Sequence, residues 1–304
     1  MAQKGTFSLS SPCPLVLGTA QLGLPYGISN RSGKPDRTTA LKTVKAAWDE
    51  GIREYDTAQG YGDSESILGE ALYRLGVTTE AKVITKLDPR LDFCDFPTVE
   101  RALHDSLDRL RIPKLYGLLL HREAMLTSWN AGLCDIFSSF VSSGVVQHIG
   151  ISIYSPEKAI AAVNTEGIDI VQLPANILDR RFENTGVFDL SRSKGKQIYT
   201  RSVFLQGLFF LNPHEIPNSL LIAKPLLEKI TQLKNDLELQ SHELALGYIK
   251  EAYKGIKVIL GSENPVQVLS NCTAWRKSYP STLIGLIKET FPAVHERILN
   301  PALW

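Results

Sequence analysis

The chain has 304 residues, of which 43% are apolar and 21% charged, and 33 Lys and Arg against 32 Asp and Glu leave a net charge of +1. This composition excludes wholesale disorder and fibrous repeats, and the charge balance gives no electrostatic pull towards nucleic acid or an anionic membrane. At ~150 residues per domain the length suggests about two domains, although an α/β barrel can fill such a length as one.

Short apolar runs alternate with helix-like stretches along the whole chain. Leu15–Thr19 reads as a first strand. Thr38–Glu50 follows with Leu41, Val44, Ala47 and Trp48 at helical spacing, and Gly51 ends it. Arg53–Asp56 is a short strand. Ser64–Leu75 is a helix with Ile67, Leu68, Ala71, Leu72 and Leu75 on one face, closed by Gly76. Lys82–Lys86 is a strand and Thr98–Leu110 a helix. Leu115–His121 is a strand, and a helix is predicted over Trp129–Ser143. Gln147–Ser152 precedes a helix that opens on Pro156 and runs to Asn164. Asp169–Leu173 and Gln197–Arg201 are strands six and seven, with a short helix at Phe188–Ser193 between them. Helices are predicted at Leu220–Gln232 and Glu243–Lys254. Lys257–Leu260 is the eighth strand, and further helices follow Pro265.

Eight strands, each followed by helix, predict a (β/α)₈ TIM barrel of the α/β class. An open doubly wound sheet is the alternative. It usually announces itself by a Gly-rich turn running directly into a helix, and Gly18–Gly23 does not do so. No linker or low-complexity tract divides the chain, so residues 1–304 are read as one domain, with Ser29–Pro35 a surface loop at the strand-end face. Cys13, Cys94, Cys134 and Cys272 lie far apart. That spacing points to free thiols in a reducing compartment, with no metal site. The first residues carry no apolar signal core, and no apolar run approaches the ~18 residues of a membrane span. The chain is therefore expected to be cytoplasmic, with neither a nucleic acid nor a membrane as partner.

In a parallel barrel the reacting groups gather at the C-terminal ends of the strands. Strand two ends in Asp56, strand three in Lys86 and strand four in His121, with Tyr61 just beyond strand two. Each alone has an ordinary structural reading: a turn carboxylate, a solvated amine, a core imidazole. Together they make chemical sense. A phenol of pKa ~10 donates a proton poorly unless its ionised form is stabilised, and an ammonium can do that. A buried ammonium needs a carboxylate. A neutral imidazole can polarise a carbonyl oxygen. The set lacks a hydride source, so a cofactor has to supply one.

The stretch Tyr55-Asp56-Thr57-Ala58-Gln59-Gly60-Tyr61-Gly62, continuing through Glu65 to Leu68-Gly69, resembles the signature of the aldo-keto reductase superfamily, as does the spacing onward to Lys86 and His121. The resemblance runs from Leu15 to about Asn271. It implies reversible hydride transfer between a nicotinamide dinucleotide and a small carbonyl or alcohol substrate. Tyr61 would be the general acid, with its pKa lowered by Lys86, while Asp56 pairs with Lys86 and His121 positions the carbonyl. Thr19, Ala20 and Asp56 would border the cofactor, and Ser152 and Gln172 would hold its carboxamide. Ile153 stands where the family usually has Asn. Arg201 takes the place of an aromatic that stacks on the nicotinamide. Ser202, Phe204, Gln206 and Gly207 would line the pyrophosphate. Gly261, Ser262, Glu263, Gln267 and Asn271 would form the adenosine-phosphate clamp, and Asn176 would be structural. The family's habit favours NADP(H), whereas Glu263, where NADP users commonly carry a cation, leaves NAD(H) open.

Two other functions compete with a carbonyl reductase. One is a nucleotide-binding regulatory or partner subunit on the same fold with little turnover. The other is a barrel lyase or hydrolase, with Lys86 forming a Schiff base. The reductase is expected to work as a monomer or weak homo-oligomer.

Overall fold

The computed structural model describes residues 13–304. Eight parallel strands close into one barrel in chain order. They are β1 (Leu15–Gly18), β2 (Glu54–Asp56), β3 (Lys82–Lys86), β4 (Leu115–Leu120), β5 (Val146–Ser152), β6 (Ile170–Pro174), β7 (Gln197–Arg201) and β8 (Lys257–Gly261). β8 returns to pair with β1, Leu15 to Gly18 standing opposite Val258 to Gly261. The open-sheet alternative is thereby excluded.

The helices between strands follow local signals in the chain. The single turn α1 (Ala20–Gly23) comes directly after β1. Asp36 caps α2 (Arg37–Asp49) by accepting from the Thr39 N–H. α3 (Ser64–Leu75) starts and stops as predicted, with Gly76 left-handed at its end. α4 spans Phe96–Leu110. The helix predicted over Trp129–Ser143 is in fact two pieces, a 3₁₀ stretch over Glu123–Ala131 and α5 (Leu133–Ser142). Gly132 between them has φ of 109°, which no continuous helix accommodates. α6 (Pro156–Asn164) and α7 (Val187–Ser193) agree with expectation to within a residue. The helix predicted at Leu220–Gln232 instead begins with a 3₁₀ turn over Asn218–Ala223, and α8 (Lys224–Asp236) starts with Pro225 in its first turn. Proline lacks the N–H that a helix interior needs, so it marks a start. α9 (Ser241–Ala252), α10 (Pro265–Arg276), α11 (Leu283–Thr290) and α12 (Glu296–Leu299) complete the chain.

The strands are buried on both faces. In Leu118-Leu119-Leu120 the outer two side chains join the shell between barrel and helices, and Leu119 points inward. Burying each such leucine contributes roughly 1.5–3 kcal/mol. Inside the barrel Val16, Ile84, Leu119, Ile170, Tyr199 and Ile259 form one apolar layer. It supports the groups described next.

Candidate active site

Side chains alternate along a strand, so the next inward position lies two residues beyond each member of the apolar layer. Those positions are Gly18, Lys86, His121, Gln172, Arg201 and Gly261, and all six border a cleft of about 990 Å³ at the C-terminal mouth of the barrel. Asp56 and Ser152 join them from β2 and β5. The predicted strand-end set is thus one layer of the barrel, and its volume suits a dinucleotide-sized ligand.

The centre of the layer is a buried ion pair. Lys86, 1% exposed, donates to both Asp56 oxygens at 2.7 and 2.8 Å and to the Thr57 carbonyl at 3.0 Å. Gln172 reaches across the barrel to donate to the same carboxylate at 2.8 Å. Burial pulls the Lys86 pKa below the ordinary lysine value, and Asp56 acts against it. The Tyr61 ring sits over this pair, its centroid 5.2 Å from the Lys86 ammonium, and meets His121 edge-on at 6.0 Å. His121 is held neutral. Burial first, and Lys86 second, bring its pKa down to about 4. Its Nδ1 is buried with no hydrogen-bond partner among the described residues.

The Tyr61 phenol departs from expectation. Its pKa is raised, first by burial and then by the Asp56 carboxylate, and the group that pulls it down is Arg201. Lys86 was expected to lower it. With its charge neutralised at contact distance by Asp56, the ammonium leaves the resting phenol firmly protonated.

The Asp56–Tyr61 segment is tied down by two buried networks. The Thr19 hydroxyl donates to the Asp56 carbonyl at 3.0 Å and accepts from Ser64 at 2.7 Å. Thr19 borders the cleft, but its hydroxyl is spent holding β1 to β2. On the other side Gln59 donates to the Ala102 carbonyl at 2.7 Å and the Ser106 hydroxyl at 2.9 Å, and accepts from the Asp88 N–H at 2.9 Å. Glu65, 2% exposed, accepts from Thr85 at 2.6 Å and from Arg109 at 2.8 Å. These bonds pin β2, α3, β3 and α4 around Tyr61.

The other half of the cleft has the features of a phosphate cradle. After β7, Ser202, Leu205, Gln206 and Gly207 all take positive φ values of 46–91°. Between them the backbone N–H groups of Val203 and Phe204 have no hydrogen-bond partner among the described residues, which leaves them free for an anion. A Cβ on Gly207 would lie 2.1 Å from the Ser29 hydroxyl, so glycine is what lets the Ser29–Pro35 loop dock there. Just before that loop the Ile28 N–H donates to the Gln206 carbonyl at 2.8 Å, and within it Arg31 pairs with Glu215. It is a bridge over the cleft as well as a surface loop. At β8 a Cβ on Gly261 would meet the Gln21 amide at 2.3 Å. Asn264 caps α10 by accepting from the Gln267 N–H, and Gln267 accepts from the Glu263 N–H at 2.7 Å. The N-terminus of α10 therefore opens on the cleft with a favourable dipole for phosphate. The lysine and arginine side chains bordering the cleft are Arg31, Lys86, Arg122 and Arg201, and among the described residues none pairs with Glu263.

Ala20, Phe204 and Asn271 border the cleft as predicted, with the other residues already named. Ser262 does not. Its side chain is 1% exposed, accepts from Asn271 at 3.4 Å and faces away from the cleft. Alternation explains this, since Gly261 before it takes the inward position. Ile153 is fully buried in the outer shell and offers nothing in place of an amide. Asn176 is structural, donating to the Ser202 carbonyl at 3.0 Å and accepting from the Leu178 and Asp179 N–H groups. Gln21 and Tyr154 are among the cleft residues to which the sequence assigns no role. Tyr154 lies under Arg201, whose guanidinium is 4.0 Å from its ring centroid. The C-terminal turn puts Pro301 at the rim, while the Trp304 indole donates to the Arg297 carbonyl at 3.0 Å.

A profile of the Aldo/keto reductase family matches residues 14–290, which takes in every strand and the whole inward layer. The NADH-specific methylglyoxal reductase of Escherichia coli (strain K12) is 25% identical over 91% of this chain and 94% of its own length. The aldo-keto reductase YhdN of Bacillus subtilis (strain 168) is 28% identical over 50% of this chain, and the alignment spans 48%, about half, of that relative. Among solved structures the aldo-keto reductase AKR11C1 from Bacillus halodurans superposes with a TM-score of 0.73 at 22% identity, covering 94% of this chain and 95% of its own. The match carries a class of chemistry, NAD(P)H-dependent carbonyl reduction, and does not favour a regulatory subunit without turnover. The chain belongs to the aldo/keto reductase family.

Proposed function

We propose that this chain is an NADH-preferring reductase in which Tyr61 gives a proton to the oxygen of an aldehyde or ketone. The observation that carries the reading is the fully buried Lys86–Asp56 pair beneath a protonated Tyr61 and a neutral His121. A reduced nicotinamide dinucleotide, when bound, supplies the hydride. The loop 202–207 and the N-terminus of α10 would hold its phosphates, and Ser152 and Gln172 its carboxamide. The raised pKa keeps Tyr61 protonated at neutral pH, so its proton is in place, and easing the departure of that proton falls to the cations facing the phenolate, Lys86 and Arg201. With Nδ1 of His121 unpartnered, the tautomer protonated on Nε2 buries only a lone pair, and its Nε2–H is free to donate to the carbonyl.

Family habit favours NADP(H), but Glu263 supports NAD(H). It borders the cleft without a cation, and burial raises its pKa without any basic partner to offset it. A carboxylate repels a 2′-phosphate and accepts from a ribose hydroxyl. The relative named above as NADH-specific agrees with this preference. The same reading takes residues 1–304 as one domain, acting as a monomer or weak homo-oligomer, and scattered cysteines support a reducing cytoplasm. The test is a panel of aldehydes and ketones with both dinucleotides, together with dinucleotide affinity by fluorescence quenching. NADH oxidation on at least one carbonyl is expected, and Glu263→Arg should tighten NADPH binding about tenfold or more, ~1.4 kcal/mol. Unchanged NADPH affinity in that variant removes Glu263 from the clamp.

A further inference from the structure

Arg201 carries the one surplus charge of the inward layer. Asp56 and Lys86 cancel each other, His121 is neutral, and Gln172 and Ser152 carry no charge. All of Arg201's contacts are neutral. Its guanidinium donates to the Ile153 carbonyl at 3.1 Å and to the Ser202 hydroxyl at 3.4 Å, and lies on the Tyr154 ring. Among the described residues no carboxylate lies within ion-pair distance of it. A guanidinium has five N–H donors, and these contacts use two. A half-buried cation with spare donors facing a cleft is stabilised most by an anion, which it can bind through two parallel hydrogen bonds.

The position of the guanidinium says which half of the cleft that anion occupies. Arg201 leaves β7 and leans over β6 to the end of β5, where Ile153 and Tyr154 hold it. That is away from α10 and towards His121 and Arg122. Arg122 also borders the cleft and forms no ion pair among the described residues. Tyr26 adds a hydroxyl to the same region, pushed by burial to a pKa of about 12 and hence a donor. We infer that Arg201 anchors an anion subsite beside the reacting carbonyl, so that the substrate is an aldehyde or ketone bearing a carboxylate or phosphate. The inference rests on the reductase reading for the identity of the carbonyl, and on the layer geometry alone for the anion.

Calorimetric titration with NADH saturating tests it with compounds that cannot be reduced. Succinamate and butyramide share an amide carbonyl and differ by a carboxylate, and glycerol 3-phosphate and glycerol differ by a phosphate. At least one anion should bind tenfold or more tightly than its neutral partner, and Arg201→Met should erase the difference while far-UV circular dichroism stays unchanged. A preference for the phosphate pair alone identifies phosphate as the anion, and one for the amide pair alone identifies carboxylate. Equal binding within both pairs, or a preference that survives in Arg201→Met, overturns the subsite. Turnover separates the two readings. Reduction of butanal and succinic semialdehyde at equal kcat/KM, with equal binding within both pairs, leaves the reductase standing and removes the subsite. Arg201-dependent binding without reduction of any carbonyl does the reverse.

Discussion

Lys86→Met keeps most of the side-chain volume and removes the three bonds that the ammonium makes at 2.7, 2.8 and 3.0 Å. Asp56, 4% exposed, is then left with the Gln172 amide as its side-chain donor. Breaking a buried pair from one side costs about 3–5 kcal/mol, because a charge stays desolvated without its partner. Asp56→Asn strands Lys86 in the same way and should cost a similar amount. The double variant buries no charge, and neutral groups of like shape replace the pair, so its loss should be about 2 kcal/mol. The two singles together then exceed the double by about 4 kcal/mol or more. Urea unfolding of the three variants and the parent, followed by tryptophan fluorescence and circular dichroism, reads these values as midpoint shifts. The double variant should regain stability yet remain inactive, since it lacks the cation that receives the phenolate. A double-variant loss equal to the sum of the singles within about 0.5 kcal/mol would show that the two residues are not a coupled pair.

His121 gives a pH test. Its pKa is about 4 folded against 6.5 for the free side chain. Between these values the unfolded chain binds the extra proton, so the contribution is complete above pH 6.5 and is lost as pH falls towards 4. The loss should reach about 3 kcal/mol. His121→Gln should show a shallower acid limb of stability than the parent, and identical limbs would contradict a neutral His121. Gln59→Ala removes the bridge between the Tyr61 segment and α4 while touching no ligand surface. Misplacing the donor should cut kcat about 10–100-fold with the NADH Kd changed less than twofold. Equal losses in both would make Gln59 a general structural support.

The barrel and the layer of polar strand ends follow from two local regularities. One is the eightfold alternation of apolar runs with helical spacing. The other is the two-residue alternation within strands, which puts Asp56, Lys86 and His121 on the inward face once their strands are placed. The end of α3 was readable because Gly76 supplies its left-handed stop. The helix predicted over Trp129–Ser143 crosses Gly132 because Trp129 and Phe137 continue an apolar stripe on either side of it. Trp129 belongs to the preceding turn, where its indole donates to the Glu166 carbonyl at 3.0 Å. That partner is far away in sequence. Contacts of this kind also hid Tyr154 under Arg201, Gln21 against Gly261 and the docking of Ile28 on Gln206. The direction of the Tyr61 shift depends on how deeply the ring is buried, a quantity that no spacing of residues records.

The central claim is that Tyr61 is the proton donor of a nicotinamide-dependent carbonyl reduction. Its direct test is Tyr61→Phe, which removes one oxygen from the cleft and leaves Lys86, Asp56 and His121 in place. Single-turnover oxidation of bound NADH by the best aldehyde of the panel should slow by about 10²–10⁴-fold, with NADH affinity within twofold of the parent. A variant that oxidises NADH at the parental rate would contradict the account.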